Sequence, residues 1–374
     1  MRRARTVLTS ALLLGGAVGC SSTPAPVPMP SPRPMQWAAV DLPAGARPLL
    51  VRAGDGVVLV ATRTGERASM YRVDVPGTAA PAPVRLEPHS VYAPGARWVD
   101  LATDGRRVLA LGRASGGAHG LPRWTVWDGT PARLVEEPQP FETFGGPKSG
   151  GLAAAALGPE AVLVGTWDGG GPGLDARLWT DTAPHGWDRL PADPALASTG
   201  RLLPQPAAVG WSATRLLVAG SVTDLGGGSS VVTRATTWTA PTVSGPWTRH
   251  DLPTMSPSAR ATSAACAGDA CWVAGLDGDA PSAWEVAPAS VTRSPLPAVP
   301  TSSGVPPALS VTAGSVWVAV AGREAVVLAR QEGSGWVAFR GPPGRPVSLA
   351  ASPGRLVLVT GTATGTRLWT AATE

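Results

Sequence analysis

Seven short apolar runs, each entered through a tight turn, recur along this chain at residues 57–61, 108–111, 161–164, 216–219, 271–274, 316–320 and 356–359. Anchored on Val57, Val108, Val162, Leu216, Cys271, Val316 and Leu356, they are spaced by 51, 54, 54, 55, 45 and 40 residues. Periods of roughly 40 to 50 residues are those of β-propeller blades. A unit of that size cannot bury its own apolar face and must stack on its copies, so the 374 residues are read as one ring rather than two or three independent domains. Forty-six Gly, 40 Pro and only 15% charged residues agree with short strands joined by many turns and not with long surface helices.

Each copy has the same internal order. A stretch of small residues, such as 151–156, 206–210, 261–265 or 347–351, suits the crowded innermost strand of a blade. A turn rich in Gly, Asp or Pro follows, as at Gly54-Asp55-Gly56 or Pro353-Gly354, because these residues take the dihedrals that turns require. The apolar run is then a second strand, buried on both faces between neighbouring blades. A third strand carries an aromatic: Tyr71, Trp124 with Trp127, Trp179, Trp238, Trp284 and Trp369. A fourth strand closes on Leu-Pro, as in 187–191, 247–253 and 290–297, and Pro ends an edge because it has no donor to offer a further strand. The predicted fold is all-β: a seven-bladed β-propeller of four-stranded antiparallel blades. The last copy, 346–374, is one strand short, and residues 37–43 (WAAVDLP) read like the missing closing strand. Residues 37–43 are therefore expected to pair with 367–371 and close the ring.

The N-terminus carries a different message. Residues 1–5 are basic, 7–18 are apolar or small, and Gly19 precedes Cys20. This is the pattern of a secretory signal, too short for a span of about 20 apolar residues. Ala17-Val18-Gly19-Cys20 resembles the lipobox of bacterial lipoproteins, with Ala17 where that family usually has Leu. The resemblance implies cleavage before Cys20 and its acylation, hence a signal peptide at 1–19, a lipid-anchored Pro-rich tether at 20–34 and a propeller at 35–374, extracytoplasmic and held to the bilayer through Cys20. Residues 21–34 have almost no bulky apolar side chain and cannot build a core. As an extended polyproline-like segment at about 3.1 Å per residue, they reach on the order of 40 Å. With Arg2, Arg3 and Arg5 removed, the formal charge of +5 falls to +2. The basic residues are scattered through all repeats rather than gathered on one face, which argues against a nucleic-acid partner.

The Trp179–Trp187 and Trp238–Trp247 spacings, each crossing a turn of small and polar residues before Leu-Pro, resemble the repeats of sialidase-like propellers. Those repeats carry an Asp-box on the turn between third and fourth strands. Residues 180–187 here keep Asp181, Gly186 and Trp187 at approximately matching positions, so the likeness covers the blade frame and is closest to propeller lipoproteins of high-GC bacteria. Fold likeness does not carry activity. Catalytic sialidases use a tyrosine nucleophile with an arginine cluster and nearby acids. This chain has only Tyr71, in a blade strand, and Tyr92, in a connection, neither with a recognisable acidic partner.

Few residues invite chemistry. Cys266 and Cys271 bracket the hairpin turn of the fifth blade, where opposed Cα atoms come within about 4.5 to 5.5 Å. In an exported protein a structural disulfide is favoured there over free thiols. His89, His119, His185 and His250 lie in different repeats, without the spacing of a metal site, and neither a metal nor another cofactor is expected. Asp168 and Asp175 flank a Gly-rich loop, as Asp277 and Asp279 flank Gly278, but neither pair has the full pattern of a calcium loop. Most of the 15 Trp recur at matching positions and are read as packing between blades, with Trp167 and Trp211 as exceptions near strand ends.

Any function is expected on the face where the loops 112–121, 138–150, 166–176, 192–205 and 221–231 converge, with Glu142, Lys148, Asp168, Asp175, Asp224 and His119 as candidate binding residues. The leading reading is a monomeric, non-enzymatic envelope lipoprotein that presents this face to a protein or glycan. The other is a carbohydrate-active hydrolase or lyase, which requires two acids from different blades about 5 to 9.5 Å apart around one pocket.

Overall fold

The structure is a computed structural model that describes residues 31–74, 80–116, 120–182, 186–226, 230–297 and 304–373. These residues form seven antiparallel sheets arranged as the blades of a propeller. The inner strands are Ala46–Gly54, Arg97–Thr103, Ser149–Leu157, Leu202–Trp211, Ala259–Ala267, Ala308–Thr312 and Arg345–Ser352. The seven apolar runs fall in the second strands, Val57–Thr64, Val108–Ala114, Ala161–Asp168, Leu216–Asp224, Ala270–Asp277, Ser315–Ala321 and Arg355–Thr362. Their central residues have no more than a trace of exposure, as expected for strands covered by a blade on either side.

The ring closes where the sequence places the closure. Ala38 and Ala39 pair antiparallel with Thr370 and Trp369, and the Val40 amide donates to the Leu368 carbonyl at 2.9 Å, so the N-terminal segment supplies the outer strand of blade seven. Residues just ahead of 35 also contact the propeller. Arg33 bridges the outer strand of blade six: its amide donates to Ala338 and its carbonyl accepts from Arg340, both at 2.8 Å. Met35 and Trp37 pack against the core between blades six and seven, which explains why residues just before 35 are held. Blade two gains a fifth strand that the sequence pattern does not announce, Arg85–Glu87, lying parallel to Arg133–Glu137.

Six of the seven inner strands carry a bulge two to five residues from their start, at Pro48/Leu50, Trp98/Asp100, Leu152/Ala154, Pro206/Ala208, Ala261/Ser263 and Pro346/Ser348. A bulge bends the strand and increases its twist, bringing backbone against the neighbouring strand. In blades three, four and five glycine meets that approach: a Cβ on Gly165, Gly220 or Gly275 would lie 2.0 to 2.2 Å from the carbonyl oxygen of Gly151, Gln205 or Arg260. Small residues line the centre as expected. All seven inner strands contribute to a channel cavity of about 600 Å³ walled largely by Ala, Val and Ser.

The recurring Trp residues have a common task. Trp179, Trp238 and Trp284, on the third strands of blades three, four and five, are fully buried. Each indole N–H donates to a carbonyl of the connection entering its own blade: Thr143 at 2.8 Å, Ala195 at 2.9 Å and Pro253 at 2.8 Å. A buried Trp needs an acceptor for its N–H, and here the acceptor is the chain segment that must be held against the blade. Cys266 and Cys271 oppose each other in the register of blade five and are joined by a disulfide, with Cα atoms 4.0 Å apart.

Candidate functional site

The face called upper here bears the loops between second and third strands and the connections from blade to blade. It holds the five loops singled out in the sequence, and the described candidate residues on them are placed as follows. Asp175 is buried and accepts from Arg177 Nη2 at 2.8 Å and from the Ser198 amide and hydroxyl at 2.7 and 3.1 Å. Asp224, also buried, is clamped by Arg201 at 2.6 and 3.0 Å, by Arg234 at 2.8 Å and by the Gly226 amide at 3.0 Å. The Arg201 and Arg234 guanidiniums, with that amide, hold the Asp224 carboxyl well below the usual carboxylate range. Asp168 caps its own loop by accepting from the Gly170 amide at 2.7 Å. Glu142 is exposed in the first turn of the short helix Phe141–Phe144, and Lys148 is exposed just before the inner strand of blade three. None of the five lines a described cavity. His119, His185 and Cys20 lie outside the described residues.

These carboxylates belong to a device repeated around the ring. Asp277 of blade five accepts the Met255 and Ser256 amides, each at 2.8 Å, and faces Arg293 at 3.3 Å. Glu136 of blade two accepts the His89 and Ser90 amides at 2.7 and 2.6 Å and the Ser90 hydroxyl at 2.6 Å. In each case a buried acid satisfies backbone donors of a connection that has no strand to pair with. Asp175 and Asp277, weighed above as parts of calcium loops, thus have arginine and amide donors as partners. Among the described residues no three His, Cys, Asp or Glu stand together as a metal-holding group.

The channel is equally committed to structure. Its charged lining is Arg52 and Asp100, which pair with each other at 2.6 Å, while Asp100 also accepts the Ala155 amide at 3.0 Å and Arg52 donates to the Ser348 hydroxyl at 3.3 Å. One pair therefore fastens blades one, two, three and seven together at the axis. The exceptional Trp residues are explained too. Trp167 is buried under the Arg189 guanidinium, 3.8 Å from its ring, and Trp211 lines the channel while donating to the Glu160 carbonyl at 3.1 Å.

The upper face also exposes apolar side chains. Among the described residues the exposed large apolar side chains are Val91, Leu174, Leu225, Val231, Met255 and Val347. All six belong to upper loops, connections or the upper end of an inner strand, and four of them lie over blades three to five. Sequence reasoning missed this feature because an isolated Val or Met in a loop is unremarkable until the fold puts it beside others.

No protein-family model and no curated protein matches the sequence. Solved structures do match in fold. A streptogramin B lyase superposes with a TM-score of 0.58 at 12% identity, covering 91% of this chain and 98% of that one. The β-propeller domain of the trilobed protease from Pyrococcus furiosus gives 0.56 at 12% identity, covering 88% and 96%. YCF48 bound to D1 peptide gives 0.52 at 12% identity, covering 92% and 100%. At such identities the likeness shows the propeller fold alone.

Proposed function

We propose that this protein is a tethered, non-enzymatic binding module of the bacterial envelope, anchored through an acylated Cys20 and presenting the upper face of its propeller to a protein partner. The observation that carries this reading is the allocation of side chains on that face. Its buried acids are consumed in holding connections, while aliphatic side chains such as Val231, 63% exposed, and Met255, 84% exposed, are left in solvent. Exposed aliphatic groups gathered on one face favour a protein partner over a glycan, whose surface offers mostly hydroxyls. A propeller of similar fold bound to a peptide supports the same use of the scaffold. The hydrolase or lyase reading calls for two free acids around one pocket; against it, Asp175 and Asp224 are engaged by arginine and amide donors, and none of Glu142, Asp168, Asp175 and Asp224 lines a described cavity. The resemblance to sialidase-like lipoproteins of high-GC bacteria enters this reading as a scaffold and a location, without the chemistry.

The test has two arms. A domain beginning at Ser31 is cross-linked in an envelope extract, and the captured protein is purified and its affinity remeasured. Val231→Asp with Met255→Asp on the upper face is expected to weaken binding at least about tenfold, while a substitution at Ser334, exposed in a turn between third and fourth strands on the opposite face, serves as a control that changes nothing. Equal binding by all three proteins overturns the assignment of the face. For the anchor, palmitate labelling of the full-length chain should be lost in Cys20→Ala.

A further inference from the structure

The bulges give the seven inner strands a common register, and that register brings to light a set of residues unrelated in the linear sequence. The residue two places before each bulged position is Arg47 in blade one, Arg97 in blade two and Arg345 in blade seven, consecutive around the ring. All three are exposed at the upper end of the inner strands. Arg113, also exposed, sits directly opposite Arg97 in the register of blade two. None of these four has an ion-pair partner among the described residues. Like charges placed opposite one another weaken a sheet, so a pair such as Arg97 and Arg113 is a local cost with no structural return.

Beside this basic arc lie two small cavities that share Trp124 as a wall. One, of about 210 Å³, is bounded by Tyr92, Arg123 and Phe141; the other, of about 160 Å³, is bounded by Arg113, Gly150 and Gly151. The Arg123 guanidinium stacks 3.8 Å from the Phe141 ring centre and 5.4 Å from that of Tyr92, with its buried Nε lacking an acceptor. Arg113 stands 5.9 Å over Trp124. Both cavities are below the roughly 300 to 1,000 Å³ of small-molecule sites, and each is of the size of one amino-acid side chain. Arginines supplied by three consecutive blades suit several anionic groups along a chain.

We infer that the upper rim over blades seven, one and two binds an extended acidic segment of a partner protein, its carboxylates on Arg345, Arg47, Arg97 and Arg113 and one apolar or aromatic side chain beside Trp124. Arginine favours carboxylates through charge-assisted and bidentate hydrogen bonds, which supplies the selectivity. At roughly 3.3 Å per residue, about eight extended residues cross the arc. This inference deepens the proposed protein-binding role and rests on it, but it names a different part of the face from Val231 and Met255.

The experiment uses the propeller with fluorescein-labelled peptides of about eight residues, one alternating Glu with Gly around a single central Phe and a second with Gln in place of every Glu. Anisotropy is expected to show binding of the Glu peptide that weakens with added salt, and binding of the Gln peptide at least about tenfold weaker. The triple variant Arg47→Gln, Arg97→Gln, Arg345→Gln should lose the Glu peptide while keeping its thermal melt. Arg260→Gln, at the equivalent place in blade five outside the arc, should bind as wild type does. Absence of binding by the Glu peptide, equal affinity for both peptides, or no loss in the triple variant each overturns the inference. Tighter binding of polygalacturonate than of the peptide, with the same sensitivity to the triple variant, overturns it in favour of an acidic glycan. Failure here with continued sensitivity of the captured partner to Val231→Asp and Met255→Asp leaves the protein-binding role standing.

Discussion

Blades three to five and blades seven, one and two are built from one repeat, yet they handle charge on the upper face in opposite ways. The second strands of blades three, four and five end in Asp168, Asp224 and Asp277; those of blades seven, one and two end in Thr362, Thr64 and Ala114. In blades four and five connections and arginines are drawn onto that acid, as Arg201 and Arg234 are onto Asp224, while in blade three Asp175 on the third strand receives Arg177 and Ser198. Where it is absent, Arg345, Arg47, Arg97 and Arg113 remain in solvent. The difference teaches that a buried acid near the upper end of the second or third strand decides whether an upper arginine becomes part of the scaffold or part of the surface.

The comparison is broken most forcefully through the Trp residues. Trp238→Ala should cost about 3 to 5 kcal/mol in chemical denaturation, since it empties a fully buried site and strands the Ala195 carbonyl. Trp369→Ala, at the equivalent strand of blade seven, should cost clearly less, because Trp369 is half-buried and donates only to Thr360 of its own blade. Next in size is the disulfide: Cys266→Ala with Cys271→Ala should lower stability by about 2 kcal/mol through the short loop it closes. Asp224→Asn follows, with a pH signature. The Asp224 carboxyl is held below its unfolded value, so the stability it contributes is fully present above about pH 4 and is lost as pH falls further. Wild type should therefore lose more stability than Asp224→Asn between neutral pH and acid, measured by urea midpoints across that range. Smallest are Arg47→Gln, Arg97→Gln and Arg345→Gln, each within about 0.5 kcal/mol of wild type because the side chains are exposed and unpaired.

The legible part of this molecule is the part written as a period. The apolar runs, the small inner strands, the Leu-Pro edges and the closing role of 37–43 all follow from spacing and composition, and Cys266 with Cys271 follows from a hairpin turn between them. The acids were visible as residues but not as roles. Nothing near Asp224 in sequence announces Arg201, which lies 23 residues earlier at the end of the connection entering blade four, and Asp277 gives no sign that it will receive the amides of Met255 and Ser256. The bulges were hidden because they depend on register between strands, and without them Arg47, Arg97 and Arg345 are three unrelated arginines. The fifth strand of blade two, Arg85–Glu87, is too short to carry a pattern of its own.

The seam of the ring has a mechanical meaning if the proposed N-terminal tether holds the protein. A pull on the chain ahead of Ser31 reaches the propeller at Arg33, whose two hydrogen bonds to blade six take the load before the pairing of Ala38 and Ala39 with blade seven. The C-terminal end is fastened separately, through the Thr373 amide on the Gly354 carbonyl. Tension therefore peels one short edge, a few bonds at a time, while the other three strands of blade seven stay paired. Under force the ring has a designated place to yield, at its lateral rim and away from the upper face.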